Sequence, residues 1–147
     1  MPVTRTLLVV VLSAVAPAIG AAALSGELEL RGRVVCLDGA GAVRTCEPPG
    51  GFALQTSGGE LRPFSPADPL AAMFADPEVR TRDLLVRARA AGEGTGIELG
   101  IIKVYSIRDG RTHDLDYFCE VCNVVAYAPG LCVCCRQPLV LRERPLP

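Results

Sequence analysis

The sequence is poor in the residues on which most catalytic sites depend. Its 147 residues include no tryptophan and a single histidine, His113, and only 5% of them are aromatic. No serine–histidine pairing, phosphate-binding P-loop or His-Glu-x-x-His motif occurs. His113 could carry a proton beside Asp114 or Asp116, or act as an extra metal ligand, but an exposed loop histidine is the commoner outcome. These absences favour a protein without catalytic activity, and no catalytic residue is predicted.

The chain also lacks an excess of charge of either sign. Lysine and arginine total 15 against 16 aspartate and glutamate residues, which gives a formal net charge of −1. Proteins that bind nucleic acid carry a clustered basic surface that neutralises phosphates. No such cluster of lysine and arginine is present, so no nucleic-acid partner is expected.

The N-terminal segment has the pattern of a secretory signal peptide over residues 1–23. Arg5 supplies a short basic start, residues 7–16 form an apolar run, and small residues follow Pro17 as far as Ala23. Signal peptidase accepts such small residues at its cleavage site. We therefore expect a secreted or periplasmic mature protein without strong membrane contact. An uncleaved N-terminal anchor is the alternative, because the segment has about the length that crosses a bilayer.

Short runs of alternating apolar and polar residues, separated by turn residues, predict a mainly β fold. The β-branched run at 97–107 is the best candidate for a central strand, and residues 81–90 favour strand over helix. The predicted strands are residues 27–36, 42–46, 52–56, 60–64, 81–90 and 97–107.

One short helix is predicted after the fourth strand. Asp68 can cap its N-terminus, Pro69 suits its first position, and Asp76 with Pro77 ends it. Closing so many short strands into a barrel would remove unpaired strand edges. The order of strands and helix therefore predicts a small antiparallel OB-like barrel over residues 26–112, with a half-barrel sandwich as the alternative.

The seven cysteines fall into two groups, and the C-terminal group carries the strongest pattern in the chain. Cys119 and Cys122 form one Cys-x2-Cys pair, and Cys132 and Cys135 form a second after nine intervening residues. Each pair can place two sulfurs on one tight turn, so two facing turns would supply four thiolates to one tetrahedral ion. A zinc site is predicted, with Cys134 as a substitute for a neighbouring ligand.

Other uses of these C-terminal cysteines stay open. Four thiolates also suit iron, an iron–sulfur cluster or copper(I). Disulfides compete with any metal in an exported protein, although five cysteines cannot all pair among themselves. Cys119 with Cys122 could also act as a redox dithiol. Neither pair is followed by the usual glycine, because Asn123 and Arg136 occupy those positions.

Cys36 and Cys46 are predicted to form a disulfide. They lie ten residues apart across a predicted turn, and no further metal ligand is near them in sequence. Closing so small a loop should contribute about 2–3 kcal/mol to the stability of the fold. Two buried free thiols are the alternative.

Two resemblances accompany these motifs. Residues 117–142 resemble the zinc-ribbon, or rubredoxin-like knuckle, arrangement, which implies that the two cysteine pairs are the metal ligands. Residues 32–37, 68–74, 117–122 and 132–135 are similar to a family of uncharacterised exported bacterial proteins. That second resemblance implies export but no known activity.

The sequence thus predicts a signal peptide at 1–23, a β-barrel domain at 26–112 and a zinc-ribbon-like cysteine module at 113–147. The expected function is that of an exported, non-catalytic protein stabilised by the four-cysteine site. Its partner is unknown, with another envelope protein as one candidate. Periplasmic handling of copper or zinc and thiol–disulfide exchange are the alternatives.

Overall fold

The computed structural model describes residues 26–46, 50–91 and 98–147, so the predicted signal peptide lies outside the described residues. No helix within those ranges is long and apolar enough to cross a membrane. The elements in these ranges are β1 (Leu28–Leu37), β2 (Val43–Arg44), β3 (Gly51–Thr56), β4 (Leu61–Pro63), a 3₁₀ helix (Pro69–Ala75), α1 (Pro77–Arg80), β5 (Asp83–Ala91), β6 (Glu98–Arg108), β7 (Arg111–Cys119), β8 (Val124–Ala126) and β9 (Val140–Pro145).

The strands form one antiparallel sheet, which confirms the mainly β prediction. Its order is β4-β3-β1-β5-β6-β7-β8, with β2 paired to β1 and β9 paired to β7. The segment for which strand was favoured over helix is β5, and the β-branched run forms β6 between β5 and β7. The C-terminal cysteines begin with Cys119, the last residue of β7, at the end of the sheet that β8 and β9 complete.

Strand β1 changes partners at Gly32. The residues before Gly32 pair with β5 and those after it pair with β3, while Gly32 itself is in register with Thr56 and Leu84. A Cβ atom at this position would lie 2.1 Å from the carbonyl oxygen of Gln55. Only glycine allows two backbones to approach so closely, and this contact lets a single strand join both parts of the sheet.

The predicted OB-like barrel is not confirmed, because the sheet is not closed. Strands β4 and β8 stand at opposite ends of the pairing order. An isolated parallel bridge between Phe64 and Leu99 brings the chain just after β4 onto β6, and the Ser65 N–H donates to the Leu99 carbonyl oxygen at 2.9 Å. A single bridge does not make a continuous ladder, so the fold is an open sheet.

The predicted helix is present as a 3₁₀ helix, and a second short helix follows it. Asp68 caps the first helix, and its other carboxylate oxygen accepts a hydrogen bond from the Ile101 N–H of β6 at 2.5 Å. The expectation that Asp76 and Pro77 end this helix is confirmed, because the 3₁₀ helix ends at Ala75 with Asp76 as its C-cap, but Asp76 also caps α1 and accepts from the Glu78 N–H at 2.9 Å. Proline has no N–H to satisfy in a first turn, so this pair begins a helix as readily as it ends one.

One apolar core joins the helices to the sheet. Phe74 of the 3₁₀ helix is fully buried, stacks on Phe64 with ring centroids 4.9 Å apart, and meets the Phe52 ring edge-on at 5.9 Å. Tyr117 of β7 belongs to the same core, and its hydroxyl donates to an Asp76 carboxylate oxygen at 2.8 Å. The strand that carries the first C-terminal cysteine is therefore anchored in the core.

Strand β7 runs through the boundary predicted at residue 113. The cysteine-rich part consequently shares a strand with the rest of the sheet. The prediction of a loop histidine is wrong, because His113 lies within β7, in register with Ser106 on β6. Its Nδ1 atom is 3.1 Å from the Arg111 carbonyl oxygen.

Candidate metal centre

Two separate turns bring four cysteine sulfurs together at the end of β7. Cys119 is the last residue of that strand and Cys122 follows in the next turn, while Cys132 and Cys135 lie between β8 and β9. The four Sγ atoms all lie within 4.8 Å of one another. The structure thus assembles the four residues that the spacing picked out, and this group can hold a metal ion.

The two turns have the same hydrogen-bonding pattern. The Asn123 N–H donates to the Cys119 carbonyl oxygen at 2.8 Å, and the Arg136 N–H donates to that of Cys132 at 3.0 Å. Asn123 and Arg136 both adopt positive φ, at 57° and 62°. Asparagine tolerates this left-handed conformation well, whereas other non-glycine residues lose about 1–2 kcal/mol in it. The turns therefore form without the glycines that are usual after the second cysteine.

Backbone amides surround the first sulfur of each turn. In both turns the N–H groups two and three residues further along donate to that sulfur, which favours its thiolate form. At Cys132 the bonds from Cys135 and Cys134 lower the pKa of the thiol to about 6. At Cys119 the bond from Cys122 is the largest single effect and lowers the pKa, but burial and the neighbouring thiols together outweigh it and raise the pKa.

The crowding of the sulfurs explains why their pKa values diverge. The pKa of Cys122 is raised, first by its hydrogen bond to Cys135 and then by burial. Sulfurs this close cannot all carry negative charge unless a cation neutralises them. The surroundings therefore favour the thiolate at Cys132 and disfavour it at Cys119 and Cys122, and binding of a cation would offset this by compensating the charge.

The donor set and its dimensions fit a tetrahedral thiophilic cation. Zinc–sulfur bonds of about 2.3 Å place the sulfurs of a regular tetrahedron about 3.8 Å apart. The Sγ atoms of Cys119 and Cys135 are 3.4 Å apart, and no pair among the four exceeds 4.8 Å. Zinc, ferrous iron and copper(I) all accept thiolate ligands, so the identity of the metal is not decided by this geometry.

The four sulfurs differ in their access to solvent. Cys119 and Cys132, the first residue of each pair, are 2% and 1% exposed. Cys122 and Cys135 are half-buried, and the predicted substitute ligand Cys134 is exposed and outside the four-sulfur group. The first cysteine of each turn is therefore shielded from solvent, and the second cysteine of each turn is more accessible.

The predicted disulfide between Cys36 and Cys46 is present. Its Cα atoms are 5.2 Å apart, within the usual range for such a bond. It ties the buried end of β1 to the segment that follows β2. The five C-terminal cysteines, by contrast, are free thiols.

A buried charge network close to Cys119 was not predicted from the sequence. Asp116 of β7 is fully buried and accepts two hydrogen bonds from Arg142 of β9, at 2.9 and 3.0 Å, and one from Arg144 at 2.7 Å. The Arg142 guanidinium also lies 3.9 Å from the centre of the Phe118 ring. These contacts fasten β9, and with it the second cysteine pair, to β7. The sequence held one signal for this network: acidic residues at 114 and 116 and basic residues at 142 and 144. A spacing of two places each pair on one face of a strand, where opposite charges can meet across neighbouring strands.

No model of a known protein family matches this chain, and neither a curated protein nor a solved structure matches it. The likeness of the two cysteine pairs to a zinc ribbon stays a prediction from their spacing. The functional conclusion therefore depends on the geometry of the site itself.

Proposed function

We propose that this protein is an exported, non-catalytic β-sheet protein in which one zinc ion holds the C-terminal hairpin, residues 119–138 with the two cysteine turns, in place. The observation that carries the proposal is the convergence of four cysteine sulfurs, from two turns, to within 4.8 Å of one another. Zinc accepts four thiolates in a tetrahedron, and it has no redox chemistry of its own in such a site. Iron and copper remain the alternative metals.

The exposure of apolar side chains in the hairpin supports a structural role for the ion. Val121, Leu131 and Val133 are 75%, 56% and 82% exposed. Side chains this exposed contribute little hydrophobic stabilisation, and small units without a sufficient core depend on metals or disulfides. A cross-link through Cys119 would fasten the hairpin to β7, which is already anchored in the core.

Export is supported by two features of different kinds. The first 23 residues have the composition of a signal peptide. The Cys36–Cys46 disulfide agrees with an oxidising compartment.

A relation of the open sheet to OB-type barrels is part of the same proposal. It is supported by the change of partners of β1 at Gly32 and by the Phe64–Leu99 bridge.

Metal handling is the second candidate, and the exposure of the site favours it. Cys122 and Cys135 are half-buried and Cys134 is exposed, so an incoming ligand could reach the ion from that side. A carrier needs a labile site, whereas a structural site is closed. Thiol–disulfide exchange through Cys119 and Cys122 is less favoured, because Cys119 ends a strand instead of standing at a helix N-terminus.

The decisive experiment is native mass spectrometry with elemental analysis on protein purified from its own compartment. We expect one zinc ion per chain, a mature N-terminus close to residue 24, and four cysteines that alkylate only after the metal is removed. Cys122→Ser should lose the ion and lower the melting temperature, while the matched control Cys134→Ser should keep both. Metal-free protein with oxidised C-terminal cysteines would refute the proposal. Unchanged melting of Cys122→Ser together with loss of the ion would favour metal handling.

A further inference from the structure

A short contact between two C-terminal sulfurs joins the two different turns. The Sγ atoms of Cys119 and Cys135 lie 3.4 Å apart, although the two residues are 16 positions apart in sequence. A disulfide has its sulfurs about 2.05 Å apart, so rotation of the two side chains has to shorten the distance by roughly 1.4 Å. The two cysteines are therefore positioned to form a bond across the hairpin, in contrast to the Cys-x2-Cys bonds that the sequence suggests.

We propose that Cys119 and Cys135 form a redox pair, and that their oxidation by a peroxide to a disulfide releases the metal ion. The proposal rests on the proposed function, since it assigns a modification to two of the four metal ligands. It differs from thiol–disulfide exchange within one Cys-x2-Cys turn. Whether the site holds its metal ion would then depend on the concentration of peroxide around the protein.

The difference in burial assigns a role to each sulfur. Cys135 is half-buried, and Cys119 is 2% exposed. The Cys135 sulfur attacks one oxygen of hydrogen peroxide, the O–O bond breaks, and a sulfenic acid forms while hydroxide leaves. The Cys119 thiolate then attacks the Cys135 sulfur, the S–S bond forms, the S–O bond breaks, and a second hydroxide leaves. Two thiolates thereby lose two electrons, and one peroxide is reduced to two hydroxide ions.

Oxidation would remove two of the four thiolates and leave Cys122 and Cys132 as the remaining ligands. Two thiolates do not complete the four-coordinate geometry of a structural zinc site. The new bond would also span the hairpin at the place where the ion held it, from the end of β7 to the second turn. The oxidised hairpin would therefore stay attached to the sheet after the ion has left.

The test is a titration of the zinc-loaded chain with hydrogen peroxide. A colorimetric chelator reports the released zinc, and mass spectrometry after alkylation reports the disulfide. Cleavage after Glu120 and Tyr127 places Cys119, Cys122 and the second pair in three different peptides. We expect one zinc released per disulfide, and a link between the peptide of Cys119 and that of Cys135, with fragmentation identifying Cys135.

Cys134→Ser is the matched control, because it removes the exposed neighbouring thiol and leaves the four-sulfur group intact. This variant should release zinc and form the same bond as the native chain. Release of zinc with a link inside either turn, or through Cys134, would overturn the inference, as would retention of zinc without any new bond at a tenfold excess of peroxide. A chain that never binds a metal would instead refute the proposed function, and the Cys119–Cys135 bond can still be sought in that reduced, metal-free protein.

Discussion

At the scale of single residues, Asp116 is a buried carboxylate that forms ion pairs with two arginines. Its side chain is 1% exposed, while those of its partners Arg142 and Arg144 are 29% and 51% exposed. Burial is the largest single effect on Asp116 and raises the pKa of the carboxyl group, but the hydrogen bonds and charges of the two arginines outweigh it and lower the pKa below its usual value. The network therefore favours the ionised form in the folded state.

We expect Asp116→Asn to destabilise the protein by about 2 kcal/mol at pH 7, because it weakens charge-assisted hydrogen bonds at a buried position. A lowered pKa in the folded state gives stability that is complete above the unfolded-state pKa of about 3.9 and is lost as the pH falls through the folded-state value. The difference between the native chain and the variant should therefore shrink below about pH 4. Urea unfolding of the native chain and the variant measures the difference between their free energies of unfolding at pH 7 and at pH 3.

Asp83→Asn is the control for this prediction. The Asp83–Arg33 ion pair is exposed on both sides, with side chains 59% and 64% accessible, and such pairs contribute little. We expect no measurable change at either pH. Equal losses of stability from Asp116→Asn and Asp83→Asn would contradict this prediction, because the buried network would then contribute no more than an exposed ion pair.

At the scale of elements, the two cysteine turns are alike in backbone geometry and differ in the residue that holds the left-handed position. Asn123 suits positive φ, and Arg136 adopts it at a cost. The carbonyl–amide bonds that close the turns set the direction in which each sulfur faces its neighbours. The backbone of Arg136 is thus part of the metal centre, although its side chain is exposed.

Substitution of Arg136 should test the turn separately from the sulfurs. Arg136→Val puts a β-branched residue at φ 62°, where the added strain of about 1 kcal/mol should weaken zinc binding roughly fivefold. Arg136→Gly, the matched variant, should bind zinc at least as tightly as the native chain, because glycine adopts positive φ without a steric penalty. Competition with a chelator of known affinity measures both. Equal weakening in the two variants would mean that the arginine side chain, and not the backbone, supports the site.

At the scale of the whole molecule, β7 links two regions that are stabilised in different ways. Its Tyr117 and Leu115 are buried in the core with the helices, and its last residue, Cys119, belongs to the four-cysteine group that can hold a metal ion. The strands β5 and β6 depend on the core and have no cysteine. Loss of the ion should therefore loosen one end of the sheet and leave the other intact.

Hydrogen exchange after metal removal should show this division. The amides of Asn123 and Arg136 should exchange at least tenfold faster once a chelator has removed the ion, because the turns that protect them lose their cross-link. Amides of β5 and β6 should keep their protection, and added zinc should restore the slow exchange of the turns. A loss of protection throughout the chain would show instead that the ion supports the entire fold.

Much of this arrangement could be predicted because it depends on residues close in sequence. Alternation with period two marks β1 and part of β5, β-branched residues mark β6, and the spacing of three residues within each cysteine pair places two sulfurs on one turn. The capping role of Asp68 is equally local. The double role of the Asp76–Pro77 pair was missed, because the same residues suit the end of one helix and the start of the next.

The sequence by itself determined the strands β1 to β6, the two cysteine pairs and the partners of the Cys36–Cys46 bond, since each follows from local composition, local periodicity or a short loop. The tertiary structure decided that the sheet stays open, that Asp116 is buried against two arginines, and that the sulfurs of Cys119 and Cys135 come within 3.4 Å of each other. The last two outcomes depend on contacts between residues 16 to 28 positions apart, in the Cys119–Cys135, Asp116–Arg142 and Asp116–Arg144 pairs. Packing selects such pairs, and no local pattern specifies them.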